Sequence, residues 1–366
     1  MVSTPNPLET KLLGRIHESG PISFRDFMEA ALYHQEFGYY NTTRPKIGRE
    51  GDFLTSSSVH AVFGQVMASS LRELLNQIDN NASGPFNLCE TGAGTGQLAF
   101  DVISTFATEW PQIFERLRYF IVETSPAMKA LQKQKLHAYD ATVQWIKFED
   151  IAEFSGIVFS NEFIDALPVH RVRLRDQRLQ EQFVVGSQDP ALTAPRLAPV
   201  WSENVGVRVP EYISRMGVPL REGQIVEVGL EGVDWLSRIG AGFKRGFVMT
   251  VDYGDLAPLL WSADRHAGTL RSFKSHRLTN SVFDSPGEQD LTASVNFTGL
   301  IEYGRQAELE TVSYEHQTAF LIRHGLLERV AALEDTNSRL AAKNLLVPGG
   351  AGHNFRVLVQ RRSVMP

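Results

Sequence analysis

Three glycines separated by single residues stand in the stretch 88–97, which reads LCETGAGTGQ. They are Gly92, Gly94 and Gly96, and a loop this rich in glycine lets backbone N–H groups approach a nucleotide closely. Gln97 stands where the last glycine of the dinucleotide pattern G-x-G-x-x-G would be. No lysine follows the loop to hold a polyphosphate, so the pattern indicates a nucleoside without phosphates.

Two carboxylates flank this loop along the chain. Glu90 ends the strand before the loop, where it would repel a pyrophosphate and attract an ammonium or sulfonium group. Glu123 ends the next predicted strand and can accept hydrogen bonds from both ribose hydroxyls. Taken alone, the glycine loop could be a purely structural turn, and Glu123 could be an ordinary solvated acid. Together they favour S-adenosylmethionine (SAM), and the set resembles that of class I methyltransferases.

A second group of polar residues follows the fourth predicted strand. Asn161, Glu162 and Asp165 come at its carboxyl end, the edge at which open parallel sheets bind ligands. Methyl transfer to nitrogen needs a positioned nucleophile that can lose its proton, and a guanidinium is held well by carboxylates. Glu162 and Asp165 are therefore the candidates for these roles. Alternatively, Asn161 and Asp165 cap a following helix.

These residues need a scaffold of buried strands alternating with helices, which predicts an α/β fold with a parallel sheet. The alternation stops at about residue 168, where 169–186 reads as a hairpin turning near Asp176. Another helix is predicted over 317–333. We predict three segments. Residues 1–80 form an N-terminal helical extension with an active-site loop, and 81–169 with 226–366 form a SAM-binding domain. Residues 170–225 form an α+β insertion that faces the substrate or partner.

Composition excludes several classes of protein. The 366 residues carry a net charge of −6, which argues against a nucleic-acid binder. The one cysteine, Cys89, excludes an internal disulfide and a cysteine metal cluster, so no metal site is predicted. The N-terminus lacks the features of a signal or transit peptide, and no apolar run is long enough for a membrane span. We therefore expect a cytoplasmic protein.

Several further segments, in order along the chain, resemble the MidA-like SAM-dependent methyltransferases. The most specific are GDFLTS, residues 51–56, and SNEFIDALPVHRV, residues 160–172. The resemblance implies a Rossmann-like, mostly parallel, seven-stranded sheet and SAM as cofactor. It assigns to the cofactor Glu90, Gly92, Gly94, Gly96 and Glu123, with Thr55 and Ser56 near the cofactor or the mouth of the site. It places Asn161 and Glu162 beside the transferred methyl group.

The mitochondrial members of that family are complex I assembly factors that methylate an arginine of a complex I subunit. The resemblance thus implies a protein arginine methyltransferase whose partner is an arginine-bearing protein, such as a respiratory-complex subunit. Apolar residues on the N-terminal helices either form a homodimer or cover the sheet. Three alternatives stay open: a small-molecule methyltransferase, a non-catalytic assembly factor and an NAD-dependent oxidoreductase, the last disfavoured by Gln97.

Overall fold

The computed structural model describes residues 5–42, 46, 60–78, 84–151, 154–187, 196–274, 277–279, 281–346 and 354–362. The described strands are β1 (Ile22–Ser23), β2 (Phe86–Thr91), β3 (Leu117–Val122), β4 (Val143–Ile146), β5 (Ser155–Asn161), β6 (His170–Arg175), β7 (Arg178–Gly186), β8 (Leu197–Ser202), β9 (Ile225–Val228), β10 (Arg245–Asp255), β11 (Arg271–Lys274), β12 (Arg277–Leu278), β13 (Asp290–Thr292), β14 (Val295–Asn296), β15 (Glu310–His316) and β16 (Phe355–Arg362).

The described α-helices are α1 (Pro7–Ser19), α2 (Phe24–Tyr33), α3 (Val62–Ile78), α4 (Gln97–Glu109), α5 (Pro111–Phe114), α6 (Pro126–Leu136), α7 (Val209–Arg215), α8 (Leu230–Gly242), α9 (Ala257–Leu260), α10 (Phe297–Gln306), α11 (Gln317–Arg323), α12 (Leu326–Ala332) and α13 (Thr336–Lys343). The chain divides into two compact units. The sheet unit comprises Leu54–Ile164, Trp235–Gly254 and Ile301–Pro366, and the hairpin unit comprises Met1–Phe53, Asp165–Asp234 and Asp255–Leu300.

Seven strands of the sheet unit pair in the order β15-β16-β10-β5-β2-β3-β4. The strands from β10 to β4 are parallel to one another, whereas β16 runs antiparallel to both of its neighbours. The predicted α/β class is confirmed. Parallel strands end at the same edge of a sheet. The residues at the carboxyl ends of β2, β3, β5 and β10 therefore lie along one edge.

The central strands of this sheet are buried, as their apolar sequences require. Leu88 and Ile157 lie opposite each other on β2 and β5, and both are fully buried. Apolar side chains of α3 and α4 belong to the same core, among them Phe63 and Phe106. The core thus fixes the strands whose ends carry the polar residues.

The hairpin unit is built on the predicted hairpin, which is confirmed. Strands β6 and β7 pair antiparallel, and the two residues between them, Asp176 and Gln177, have φ angles of 50° and 61°. Such left-handed residues suit the two-residue loop of a hairpin. The sheet has the order β1-β7-β6-β9, with β8 pairing with β7.

The compact units differ from the predicted domain segments. Strand β1 pairs with β7, so the N-terminal residues share a sheet with the predicted insertion. Their core is also shared, since Phe27 of α2 belongs to the same apolar cluster as Val184 of β7 and Leu291 of β13. The sequence pattern identified the elements but not these long-range pairings.

The predicted helix over 317–333 is interrupted. Helix α11 ends at Arg323 and α12 begins at Leu326, with Gly325 between them at a φ of 97°. This left-handed conformation cannot continue an α-helix. Within the described residues, no helix combines the length and the apolar character that crossing a bilayer requires.

Candidate functional site

The three glycines of the sheet unit form the turn between β2 and α4. Gly92, Gly94 and Gly96 have φ angles of 70°, 52° and 80°, which side-chain-bearing residues rarely adopt. A Cβ atom on Gly92 would also lie 2.4 Å from Cδ2 of Phe163. Helix α4 begins at Gln97, and no side chain caps its first backbone N–H groups. The geometry suits close approach of a ligand.

Glu90 is buried at the end of β2, and its carboxylate accepts a hydrogen bond of 2.5 Å from the Tyr119 hydroxyl. Burial raises the pKa of Glu90 to about 7, since desolvation disfavours the charged form. The Tyr119 hydrogen bond lowers that pKa, and the negative charge of Glu123 raises it. A nearby cation would favour the ionised carboxylate.

Glu123 lies one residue beyond β3 and is held at both carboxylate oxygens. Its Oε1 accepts the backbone N–H of Ser125 at 2.8 Å, and its Oε2 accepts Nε2 of Gln132 at 2.9 Å. Burial raises the pKa of Glu123, and these hydrogen bonds oppose that effect. Gln132 was not predicted from the sequence, where it is only one polar residue of a helix; in the structure it is buried. We call Glu90, the three glycines, Glu123 and Gln132 the glycine-loop cluster.

The carboxyl end of β5 carries a strained turn. Glu162 has a φ of 51°, a left-handed conformation, and its backbone N–H donates to the carbonyl of Val251 at 2.9 Å. Asn161 Nδ2 donates to Glu162 Oε1 at 3.2 Å. Asn161 Oδ1 is buried and has no hydrogen-bond partner among the described residues. Asn161 and Glu162 thus share one hydrogen-bonded turn at the carboxyl end of β5.

Asp252, near the carboxyl end of β10, holds this turn. It is fully buried, and its Oδ2 accepts the backbone N–H groups of Phe163 at 3.2 Å and Ile164 at 2.8 Å. This role of Asp252 was not predicted from the sequence. The available signal was an acid at the end of a buried strand that was predicted to lie in the same sheet as β5. We call Asn161, Glu162, Phe163 and Asp252 the β5 cluster.

Asp165 belongs to the hairpin unit, where its carbonyl accepts the backbone N–H of Ala293 at 2.9 Å. Its charge, like that of Asp290, contributes to raising the pKa of Tyr40, for which burial is the largest cause. The helix-cap alternative is wrong, because the residues after Asp165 form a turn that leads into β6. Thr55 and Ser56 lie outside the described residues.

The arrangement fits a nucleoside with a cationic end. The glycine loop permits close backbone approach, Glu123 offers a fixed carboxylate for hydroxyl groups, and Glu90 offers a charge that a cation would stabilise. Within the described residues, no group of three or more His, Cys, Asp or Glu side chains could hold a metal ion.

The comparison with known families agrees with this geometry. The model of a family described as S-adenosyl-L-methionine-dependent methyltransferases matches residues 66–315. The chain belongs to this family. SAM is accordingly the cofactor of this methyltransferase, and the NAD-dependent alternative is set aside.

Two curated relatives of this methyltransferase are a protein of Drosophila melanogaster and one of Homo sapiens, each named as a protein arginine methyltransferase, NDUFAF7 or its homolog. The first is 29% identical over 79% of this chain and 68% of that protein. The second is 25% identical over 94% of this chain and 79% of that protein. Both names describe mitochondrial proteins, and this finding overturns the predicted cytoplasmic localisation.

Solved structures extend the likeness to the whole chain. A protein from Burkholderia thailandensis, crystallised with S-adenosyl-homocysteine (SAH) bound, is 26% identical and has a TM-score of 0.86. The match covers 100% of this chain and 96% of that protein. The native structure of a protein from the same organism gives a TM-score of 0.83 at 27% identity, again over 100% and 96% of the two chains.

Proposed function

We propose that this methyltransferase transfers a methyl group to an arginine nitrogen of a protein substrate. The observation that carries the proposal is the β5 cluster, in which a carboxylate and a buried amide stand together at the carboxyl edge of the sheet. The names of the curated relatives, which act on protein arginine, support the same substrate class.

The glycine-loop cluster would hold the cofactor. Gly92, Gly94 and Gly96 would contact the nucleoside and its amino-acid end through the backbone, and Glu123 would accept hydrogen bonds from the ribose hydroxyls. Glu90 would stabilise positive charge. Bound SAM supplies an electrophilic methyl group on a sulfonium. The adenine would lie near the loop after β4, around residues 145–150, and Thr55 and Ser56 would lie near the mouth of the site.

Glu162 would orient the acceptor and receive its proton. An arginine guanidinium is protonated at neutral pH, so it must lose a proton in the course of methylation. A carboxylate both holds the planar guanidinium through hydrogen bonds and can accept that proton. Asn161 Oδ1, buried with no partner among the described residues, is a matching acceptor for a guanidinium N–H. Asp165 would supply further negative charge to the acceptor.

The finer architecture is part of the proposal. The strand order of the sheet unit supports a seven-stranded, mostly parallel class I methyltransferase sheet with an N-terminal helical extension and an inserted α+β segment. Within the predicted boundaries, 81–169 and 226–366 would bind SAM, 1–80 would complete the active site, and 170–225 would face the protein substrate. A respiratory-complex subunit is our proposed substrate class. The apolar residues of α1 and α2 that suggested a homodimer are buried in the core of the hairpin unit, which favours the alternative that they cover the sheet.

The test is methyl transfer from isotope-labelled SAM to a set of synthetic peptides that contain arginine, analysed by mass spectrometry. Matched peptides with lysine in place of arginine are the control. Label on an arginine side chain, absent with lysine and reduced in Glu162→Gln, is the expected result. Label found only on small molecules added with the peptides would favour a small-molecule methyltransferase. SAM binding without transfer to any acceptor tested, including mitochondrial protein fractions, would favour the assembly-factor alternative.

A further inference from the structure

Gln132 joins three parts of the glycine-loop cluster through one side-chain amide. This residue of α6 is completely buried. Its Nε2 donates to the carbonyl oxygen of Gly94 and to Oε2 of Glu123, both at 2.9 Å. Its Oε1 accepts Nε1 of Trp145, also at 2.9 Å. The amide therefore links the glycine loop, the acid after β3 and the indole of β4.

The orientation of this amide is fixed by chemistry. An indole N–H can only donate, so the Gln132 oxygen must face Trp145. Its NH2 group then faces two acceptors, a backbone carbonyl and a carboxylate, which is the arrangement that the distances show. The hydrogen bond to the carboxylate is charge-assisted when Glu123 is ionised. All the hydrogen-bonding groups of the amide are used.

We propose that Gln132 is a positioning residue for the cofactor, acting through Glu123. The inference rests on the proposed role of Glu123 as the ribose acceptor. The N–H of Ser125 and the amide of Gln132 each hold one carboxylate oxygen, so together they fix the plane of the carboxylate. A carboxylate has about four acceptor positions, and these two hydrogen bonds leave others for the ribose hydroxyls.

The same amide couples the ribose acid to the loop. Gly94 has a φ of 52°, and its carbonyl is held by Gln132, so loss of the amide would release both the loop and the acid. Gly96 also lies against this residue, because a Cβ on Gly96 would be 3.3 Å from the Cα of Gln132. Gln132 therefore serves the cofactor without having to touch it.

A double-mutant cycle distinguishes positioning from simple core packing. SAH binding is measured by calorimetry for the wild type, Gln132→Leu, Glu123→Gln and the double variant. Gln134→Leu, which changes an exposed glutamine of the same helix, is the matched control. We expect Gln132→Leu to weaken SAH binding about tenfold and Gln134→Leu to leave it within about twofold. The double variant should bind more tightly than the product of the two single effects predicts, because the part of the Gln132 effect that acts through Glu123 is already lost in Glu123→Gln.

Two results would overturn the inference. The first is SAH binding by Gln132→Leu that equals that of the wild type. The second is a loss of affinity in the double variant that equals the product of the losses in the two single variants. If Glu123→Gln itself had no effect, the proposed role of Glu123 would fail together with this inference. Multiplying effects would remove only the inference. Should Gln132→Leu fold poorly, Gln132→Met, which keeps the length of the side chain, gives the same cycle.

Discussion

The glycine-loop cluster and the β5 cluster occupy the same edge of one sheet but are built differently. In the first, the two carboxylates accept hydrogen bonds from other side chains. Gln132 donates to Glu123, and the neighbouring Tyr119 donates to Glu90. In the second, one buried carboxylate, Asp252, holds the backbone of a turn. The second cluster also keeps a buried amide oxygen on Asn161 that no described residue satisfies.

The difference corresponds to two tasks. A site that binds a cofactor benefits from groups that are already paired and fixed, because little order is then lost on binding. A site that must stabilise a reacting group benefits from strain and from polar atoms that are unsatisfied before the substrate arrives. Glu162, with its left-handed φ of 51°, has this second character. The first three predictions below each change one cluster and ask whether the other is affected, and the last concerns Glu90 alone.

The largest effect is expected for Glu162→Gln. Loss of the acceptor of the proton should reduce kcat by about 10²- to 10⁴-fold, the usual contribution of a general base. SAH binding, which depends on the other cluster, should stay within about twofold of the wild type. Steady-state kinetics on an arginine peptide and calorimetry measure the two quantities. Glu115→Gln, an exposed change in the same unit, is the control. An unchanged kcat would show that Glu162 is not the base.

Asp252→Asn should weaken the same cluster indirectly. It removes the negative charge and leaves one acceptor oxygen where the carboxylate has two, one for the N–H groups of Phe163 and Ile164 and one for that of Tyr253. A hydrogen bond to a charged group contributes about 1.5–3 kcal/mol. We expect a lower melting temperature and a kcat reduced about tenfold or more, because the residues that follow Glu162 in the turn are then held less firmly. Thermal unfolding and kinetics test this. Loss of SAH binding instead would mean that the two clusters are not separable.

The sequence predicted the glycine-loop cluster better than the β5 cluster, for a physical reason. Glycine spacing and strand-end acids are local features, so the turn at Gly92 and the strand-end positions of Glu90 and Glu123 could be predicted. Gln132 contacts Gly94, 38 residues away in the chain, and Asp252 contacts Phe163, 89 residues away. No local sequence pattern predicts such contacts.

The same limit applies to the domains. The hairpin at Asp176 is a local turn and was predicted, whereas the pairing of β1 with β7 joins residues far apart in sequence and was not. The split between α11 and α12 depends on one glycine, Gly325, in a segment whose apolar periodicity continues through it. The strain at Glu162 has no sequence signature, since a non-glycine residue at positive φ is imposed by its neighbours.

Glu123→Ala is expected to act on the glycine-loop cluster alone. Losing the proposed hydrogen bonds to the ribose should weaken SAH binding by about 1–3 kcal/mol, or about 5- to 150-fold. At saturating SAM, kcat on an arginine peptide should change little, because the β5 cluster is intact. Calorimetry and kinetics at increasing SAM concentration separate these outcomes. A fall in kcat that saturating SAM does not restore would contradict the division into two clusters.

The smallest effect concerns Glu90, whose pKa is raised by burial from 4.5 to about 7. Below about pH 4.5 the folded and unfolded states both hold the proton. As pH rises towards about 7, the unfolded state has lost it and the folded state has not, so the free energy of unfolding falls. Between about pH 6 and about pH 7 the wild type should lose about 1 kcal/mol more than Glu90→Gln does.

Urea unfolding of both proteins at the two pH values measures this difference. Asp101, whose pKa burial raises to about 6, also titrates near this range, but it does so in both proteins and largely cancels. Equal pH dependence of the two proteins would contradict the assignment to Glu90. Excess SAH sharpens the comparison, because a cationic amine near Glu90 favours its ionised form and lowers its pKa. The difference between wild type and variant should then shrink, whereas SAH bound away from Glu90 would leave it unchanged.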